Sequence, residues 1–363
     1  MRIVLAISSL GAGGAERVIT LLADAFAARD HEVWLVTLAP CSQDFFIVNR
    51  RVRRLGLNLM AESAGLWAGL LSNIRRVRAL RRVLATLEPA AVVSFVTSTN
   101  VLVLLASIGS SARVIVSERI DPAAHDAGKL WELLRRLFYR RADALVVQTQ
   151  GIAAWFAARL GTQVPVIVIP NPVPPVDALA AGRVEPGAGF LLAAGRLAPQ
   201  KGFDVLIRAF AAVAQRLPEL RLLIAGEGAE LERLRALAAE VGVPERVVFI
   251  GQVAHLAALM KSAVAFVLPS RYEGFPNVLV EALAVGAPCV ASDCPGAVRE
   301  ILADGAYGIL VPPGDSSALA DAIARLVVDP QLRAQYSAAA AAAVQRYRLD
   351  QVMTRWEQVL ATA

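Results

Sequence analysis

The chain has 363 residues, 56% of them apolar and 19% charged, with a formal net charge of +6. That length is ample for two hydrophobic cores and suggests two domains. Cys41, Cys289 and Cys294 are odd in number and lack the spacing of a zinc or redox site, and His31, His125 and His255 are equally scattered, so reduced, mostly buried thiols and no metal cluster are expected.

Met1-Arg2 runs directly into a strand, Arg2 to Ser9, without a signal peptide, and the chain is expected to stay in the cytosol. Gly11-Ala12-Gly13-Gly14 then forms a glycine-rich turn before a helix, Ala15 to Arg29, whose Val18, Leu21, Leu22 and Ala25 point inward. Strand, glycine turn and helix start make a phosphate-cradling geometry. A dinucleotide-binding oxidoreductase would show a third glycine where Glu16 stands. It would also end the second strand, Glu32 to Leu38, on an acid that holds the adenosine ribose, and none is there.

Leu66 to Leu87 reads as an amphipathic helix, with Leu66, Leu70, Ile74, Val77, Leu80, Leu84 and Leu87 on one face and Arg75, Arg78 and Arg82 off it. The longest uncharged stretch, Pro89 to Ala112, is interrupted by Ser94, Thr97, Ser98, Thr99 and Asn100. It is therefore strand, turn and helix rather than a membrane span. Arg113 to Ser117 is a further strand ending in Ser117-Glu118-Arg119-Ile120-Asp121-Pro122. A helix near Ala127 to Arg141 and strands Ala144 to Val147 and Val164 to Ile169 complete a first parallel sheet. Pro170-Asn171-Pro172-Val173-Pro174-Pro175 bars helix and sheet and marks the boundary between domains 1–170 and 171–347, with an Ala-Gly-Pro-rich continuation to Gly189.

The positive charge is confined to the first half: residues 1–176 carry net +8 and residues 177–363 net −2. Arg50, Arg51, Arg53 and Arg54, the arginines of the helix at 66–87, and Arg135, Arg136, Arg140 and Arg141 make three clusters. Solvated helix faces are the ordinary explanation. The alternative is a surface for anionic lipid, worth about 1 kcal/mol per basic residue near the bilayer. Trp67 and Trp131 would then sit at headgroup level, though core packing suits each equally. Nucleic acid is not expected as a partner, because no binding module and no aromatic residues interleaved with the arginines are present.

The second half alternates strand and helix: Phe190 to Ala194, Phe203 to Arg216, Arg221 to Ala225, Leu231 to Val241, Val247 to Ile250. Val290 to Asp293 and Gly308 to Val311 are later strands, and Asp315 caps a helix to Val328. Such alternation predicts a parallel sheet covered on both faces, with ligands at the carboxyl ends of its strands. The loops Gly195 to Gly202, Gly226-Glu227-Gly228, Gly251-Gln252-Val253 and the Glu273 turn fall there. Arg196 supplies a planar fork and Lys201 a compact charge, which together suit two phosphate groups.

The stretch Pro269 to Gly286, PSRYEGFPNVLVEALAVG, organises the rest. A buried strand, Val264 to Leu268, leads into a polar turn carrying Glu273 and Gly274, and a helix follows with Pro276 suited to its first turn. Its amides, at Phe275 to Asn277, and its positive dipole end favour a phosphate. Glu281 lies about five residues up the helix, roughly 7.5 Å along the axis. Each carboxylate accepts hydrogen bonds from paired hydroxyls, so one suits a sugar ring and the other a ribose.

At these residues the chain resembles the family 4 glycosyltransferases, retaining enzymes of α/β GT-B fold whose signature is a Glu, seven residues and a second Glu, here Glu273 and Glu281. The resemblance covers nearly the whole chain. It implies two Rossmann-like domains facing each other across a cleft, with the last helix, about Leu349 to Leu360, crossing back onto the first. It also implies a nucleotide-diphosphate sugar donor, UDP-linked, held with no cofactor. The absence of any Asp-x-Asp tripeptide counts against a metal-dependent transferase. By this resemblance Gly13 and Gly14 approach the diphosphate, Arg196 and Lys201 stabilise the departing nucleoside diphosphate, Gly226 and Val253 line the base, Glu273 holds the sugar and Glu281 the ribose.

Many family members place a histidine where this chain has Glu118, which is either a catalytic replacement or one half of an ion pair with Arg119. The Ser-Glu-Arg-x-Asp-Pro pattern is similar to that of enzymes extending undecaprenyl-diphosphate-linked oligosaccharides. It implies a lipid-linked saccharide acceptor and a peripheral position on the inner face of the cell membrane. A sugar-nucleotide epimerase of the same fold, a non-catalytic sensor, or a transferase with a soluble acceptor are the alternatives.

Overall fold

The computed structural model describes residues 1–60, 66–120, 122, 128–174, 189–253 and 255–361. Asp121 of the Ser-Glu-Arg-x-Asp-Pro run, residues 175–188 of the connector and the side chain of Trp67 lie outside the described residues. The chain divides into two compact units, Met1–Pro172 with Leu349–Ala363, and Val173–Arg348.

In the first unit, β1 (Arg2–Ile7), α1 (Gly14–Ala28), β2 (Glu32–Thr37), β3 (Arg53–Gly56), α2 (Leu66–Leu87), β4 (Ala91–Phe95), α3 (Thr97–Ala106), β5 (Arg113–Ser117), α4 (Lys129–Phe138), β6 (Ala144–Val147), α5 (Gln150–Leu160) and β7 (Val166–Val168) follow in order. All seven strands are parallel, in the order β3-β2-β1-β4-β5-β6-β7. The central strands are apolar apart from Arg2, Ser94, Arg113 and Ser117, as suits a sheet covered on both faces. Ile3, Leu5 and Ile7 pack beneath α1 and the C-terminal helix Leu349–Ala361, while Val4 and Ala6 face α2, α3 and α5.

The uncharged stretch is β4 and α3, and no helix among the described residues is long and apolar enough to cross a membrane. β3 was not foreseen. It draws on the first arginine cluster: Arg54 forms a two-pronged pair with Asp44 at 2.7 and 2.8 Å, and Arg53 pairs with Glu32 at 2.9 Å. Arg54 is therefore committed inside the fold, while Arg53 stays exposed on its ion pair.

The second unit runs β8 (Phe190–Ala194), α6 (Phe203–Ala214), β9 (Arg221–Ala225), α7 (Leu231–Glu240), β10 (Val247–Gly251), α8 (Leu256–Ser262), β11 (Ala265–Leu268), α9 (Asn277–Ala284), β12 (Cys289–Ser292), α10 (Val298–Ile301), β13 (Ile309–Val311), α11 (Ser316–Val328) and α12 (Pro330–Val344). Its strands are parallel in the order β10-β9-β8-β11-β12-β13. One face is closed by α6, α7 and α11 and the other by α8, α9, α10 and α12. Helix starts are fixed locally: Asp315 accepts from the Ser317 and Ala318 amides at 3.0 and 2.9 Å, and Asp329 from the Leu332 amide at 2.9 Å.

Candidate functional site

In the second unit the strand order puts β10, β9, β8 and β11 side by side, so the four loops leaving their carboxyl ends share one edge. Backbone contacts knit them together. The Gly226 amide donates to Gly251 O at 2.7 Å, the Leu197 amide to Glu227 O at 2.8 Å, and the Arg271 amide to Gln200 O at 2.8 Å.

Two glycines make this approach possible. A Cβ on Gly226, at φ 132°, would lie 2.0 Å from the Gly195 carbonyl oxygen, and one on Gly202, at φ 64°, would lie 2.1 Å from Pro269 O. No other residue fits either place. Arg271 adds a side-chain tie by gripping Asp204 of α6 at 2.7 and 2.9 Å, which holds the Asp204 carboxyl below its usual range.

At the centre of this edge, Lys201 Nζ donates to Glu273 Oε1 at 2.7 Å and Ser270 Oγ donates to the same oxygen at 2.6 Å. Glu273 is buried, 4% exposed, and its amide is held by Pro295 O at 3.0 Å. Both of these bonds fall on Oε1, one of its two carboxylate oxygens. Ser270 was not foreseen, and its only signal in the sequence was its place three residues before Glu273. Arg196 is exposed and has no ion-pair partner among the described residues.

α9 begins at Asn277 with Pro276 as its cap, one position earlier than a first-turn proline. Gly274 and Phe275 are half-buried, and Phe275 rests edge-on against Tyr347 at 5.7 Å. Pro276 is buried and Asn277 half-buried. Glu281 is 4% exposed on α9, so it is not a solvated helix carboxylate. Val253 is half-buried against the core under α8. Cys294 lies close enough to Glu273 to feel its charge, and burial pushes its thiol up to about 12, so it is inert.

The first unit treats its candidates differently. Gly13 caps α1, and the Glu16 carboxylate folds over it: a Cβ on Gly13 would fall 2.1 Å from Glu16 Oε2. Desolvation there raises the Glu16 carboxyl above its usual range. The cradle at Gly13 and Gly14 is thus occupied by an acid, which a diphosphate would have to displace.

Glu118 is 2% exposed and accepts from Thr97 Oγ1 at 2.9 Å and from the Tyr139 hydroxyl, contacts that hold its carboxyl inside the first unit. Burial raises its carboxyl above the usual carboxylate range. Nor does it pair with Arg119, which turns instead to Asn171 Oδ1 at 2.6 Å. The Arg119 guanidinium lies 4.0 Å from the Phe95 ring and 5.7 Å from that of Trp356, and burial lowers it to about 9.

Two family models match the chain: "Glycosyl transferase 4-like domain" over residues 13–172 and "Glycosyl transferases group 1" over residues 180–343. The chain is similar to the exopolysaccharide phosphotransferase SCO2592 of Streptomyces coelicolor, with 30% identity over 96% of this chain but only 39% of that protein's length. It is also similar to the Campylobacter jejuni GalNAc-alpha-(1->4)-GalNAc-alpha-(1->3)-diNAcBac-PP-undecaprenol alpha-1,4-N-acetyl-D-galactosaminyltransferase, with 26% identity over 99% of this chain and 98% of that one. Anabaena Alr3699/HepE, solved in complex with UDP, shares the fold at a TM-score of 0.79 and 21% identity, each chain covered 100%. The chain belongs to the family 4 glycosyltransferases, and its two Rossmann-like units are those of the GT-B fold.

Proposed function

We propose that the chain is a retaining glycosyltransferase. It moves a hexose or N-acetylhexosamine from a UDP-sugar to a hydroxyl of a lipid-linked saccharide in bacterial glycan synthesis, working peripherally at the cytosolic face of an anionic membrane. The observation that carries this reading is the meeting of Lys201, Ser270 and Glu273 at 2.6 to 2.7 Å, with Arg196 exposed on the same loop as Lys201. The UDP complex of HepE and the undecaprenol-linked acceptor in the C. jejuni relative's name agree with it.

When the bond from the anomeric carbon to the diphosphate oxygen breaks, the electron pair stays on the phosphate. Arg196, Lys201 and the positive end of α9 then stabilise that charge more in the transition state than before it. Glu273 orients the sugar hydroxyls, and Glu281 orients the ribose. The acceptor hydroxyl attacks from the face the leaving phosphate vacates and passes its proton to that phosphate, so neither glutamate is a covalent nucleophile. The cationic side chains supply the charge compensation, and no metal ion is required.

The test is a panel of UDP- and GDP-sugars screened for thermal stabilisation, followed by extraction of lipid-linked product with the best donor. A lengthened lipid-linked saccharide with retained anomeric configuration is expected. Interconversion of the sugar with donor alone would instead identify an epimerase.

A further inference from the structure

Among the described residues two arginines are buried, and the fold treats them differently. Arg135 has Glu132 as its ion-pair partner, whereas no described carboxylate pairs with Arg119, which is 6% exposed. Arg119 Nη1 donates to Asn171 Oδ1, but its Nε and Nη2 have no hydrogen-bond partner among the described residues. Those two N–H groups lie side by side on one edge of the guanidinium, the fork that takes two oxygens of a single anion. Arg54 shows the same fork filled, with Nε and Nη2 on the two oxygens of Asp44 at 2.8 and 2.7 Å. Buried charges are ordinarily paired, so an unpaired one works against the fold.

The fork does not stand alone. Arg119 lies two residues beyond the end of β5, Gln148 directly after β6 and Asn171 three residues after β7, while Phe95 closes β4. These four strands are neighbours, so the side chains share the carboxyl edge of the first sheet, where parallel sheets bind ligands. Asn171 Oδ1 accepts from both Arg119 and Gln148, at 2.6 and 3.2 Å, and the guanidinium is held against the Phe95 and Trp356 rings. Gln148 Oε1 and Trp356 Nε1 are also buried without a partner among the described residues. All five residues belong to the first unit. One cluster thus carries unused donors at Arg119 Nε, Arg119 Nη2 and Trp356 Nε1 and an unused acceptor at Gln148 Oε1, in a setting where polar groups are nearly always satisfied.

We propose that Arg119 anchors a second phosphate site, in the first unit and separate from the donor loops. A carboxylate would fill the fork but brings no hydrogen for Gln148 Oε1. A phosphate has oxygens to spare for Trp356 Nε1 and, as a monoanion, a hydroxyl for Gln148. The anion supplies the counter-charge that the fold itself lacks there. Because the fork is shielded from water, entry takes a shift of the side chains packed on it, and the low dielectric then strengthens each bond formed. Inorganic phosphate and a phosphate of the acceptor share this chemistry.

The test titrates inorganic phosphate by calorimetry into the full chain carrying Arg196→Met/Lys201→Met, which removes phosphate binding at the donor loops. That protein should still bind phosphate, and adding Arg119→Met or Arg119→Lys should weaken binding at least tenfold. Thermal melting in phosphate-free buffer separates a site from a structural cation: Arg119→Met should melt no lower than its parent, since an unpaired buried charge is removed. If it does melt lower, Arg119→Lys decides, because it keeps the charge and lacks the fork. Retained phosphate affinity in either variant, or no binding by the parent, overturns the site. Kinetics of Arg119→Met with intact donor loops and a detergent-solubilised lipid-linked acceptor then identify the source. A tenfold rise in acceptor KM at unchanged donor KM makes the acceptor's own phosphate the occupant, and unchanged KM makes it free phosphate. Only this last measurement rests on the acceptor reading. A wild type that cannot use that acceptor would overturn that reading and leave the phosphate titrations standing.

Discussion

The Lys201 ammonium lies 2.7 Å from Glu273 Oε1, although the two residues stand on different strand-end loops and Glu273 is only 4% exposed. A lysine free to meet phosphate on one side and fixed by a buried carboxylate on the other is already aimed before donor arrives. That is the pre-organisation a developing negative charge requires.

Lys201→Ala should therefore act mainly on turnover. Removing one pre-aimed donor costs about 10²- to 10³-fold in kcat. Steady-state kinetics with varied UDP-sugar should show this drop with a smaller change in KM. A rise in KM at unchanged kcat would mean that the lysine only binds.

Ser270→Ala tests the support beneath the pair. Its hydroxyl bond to Glu273 Oε1 is 2.6 Å long and fully buried. Leaving a buried acceptor short of a partner costs about 1–3 kcal/mol. We expect a lowered melting temperature and a fall in kcat/KM that Ser270→Thr partly restores.

Gly226→Ala should fail for steric reasons. The new Cβ would meet Gly195 O at 2.0 Å with φ at 132°, so the loops leaving β8 and β9 must separate. Loss of UDP-sugar binding, together with a destabilised second unit, is the expected outcome in calorimetry. Normal binding would show that the close approach is dispensable.

Glu118→Gln carries a pH signature. Burial raises the folded-state pKa of Glu118 above 4.5, so the folded chain binds this proton more tightly than the unfolded chain does. Wild-type stability is then lost as pH rises from the unfolded value through the folded one, and the loss is complete above it. Glutamine keeps an acceptor for Thr97 and Tyr139 and never ionises. The variant should gain in denaturation midpoint at pH 8 relative to wild type, and gain less below pH 4.5. A difference that does not vary with pH would contradict this. Transfer activity should persist, since Glu118 is assigned no contact with substrate.

Addition of EDTA should leave the transfer rate unchanged, because side-chain cations and the start of α9 compensate the diphosphate. Loss of activity that a divalent cation restores would contradict that assignment.

Much of this was legible in the sequence, for identifiable reasons. Continuous apolar strands such as 144–147 and capped helices such as 316–328 are local patterns, and local patterns survive folding. The convergence of the loops that carry Arg196, Lys201, Gly226 and Glu273 followed from one topological rule, that loops at the carboxyl ends of neighbouring parallel strands share an edge. What periodicity does not carry is which of two possible stripes faces the core. In α4 the leucines lie outside and Trp131 inside, the reverse of a Trp131 at headgroup level. In α2 only the later part of the predicted face is covered: Leu80 and Leu84 are buried while Leu70 and Ile74 stay exposed. Contacts between residues far apart in sequence, such as Tyr139 with Glu118 or Ser270 and Lys201 sharing one carboxylate oxygen, leave no periodic trace. Glu16, read only as a missing glycine, turned out to sit over Gly13.

The central claim is that Arg196 and Lys201 grip the donor's diphosphate. Calorimetric titration of UDP into wild type and into the Arg196→Met/Lys201→Met variant tests it most directly. Charge-assisted bonds to phosphate are about twice as strong as neutral ones, so the variant should bind at least about 100-fold more weakly, with circular dichroism confirming that it remains folded below the lowered melting temperature that loss of the Glu273 partner entails. Equal affinity in the two proteins would place the nucleotide elsewhere.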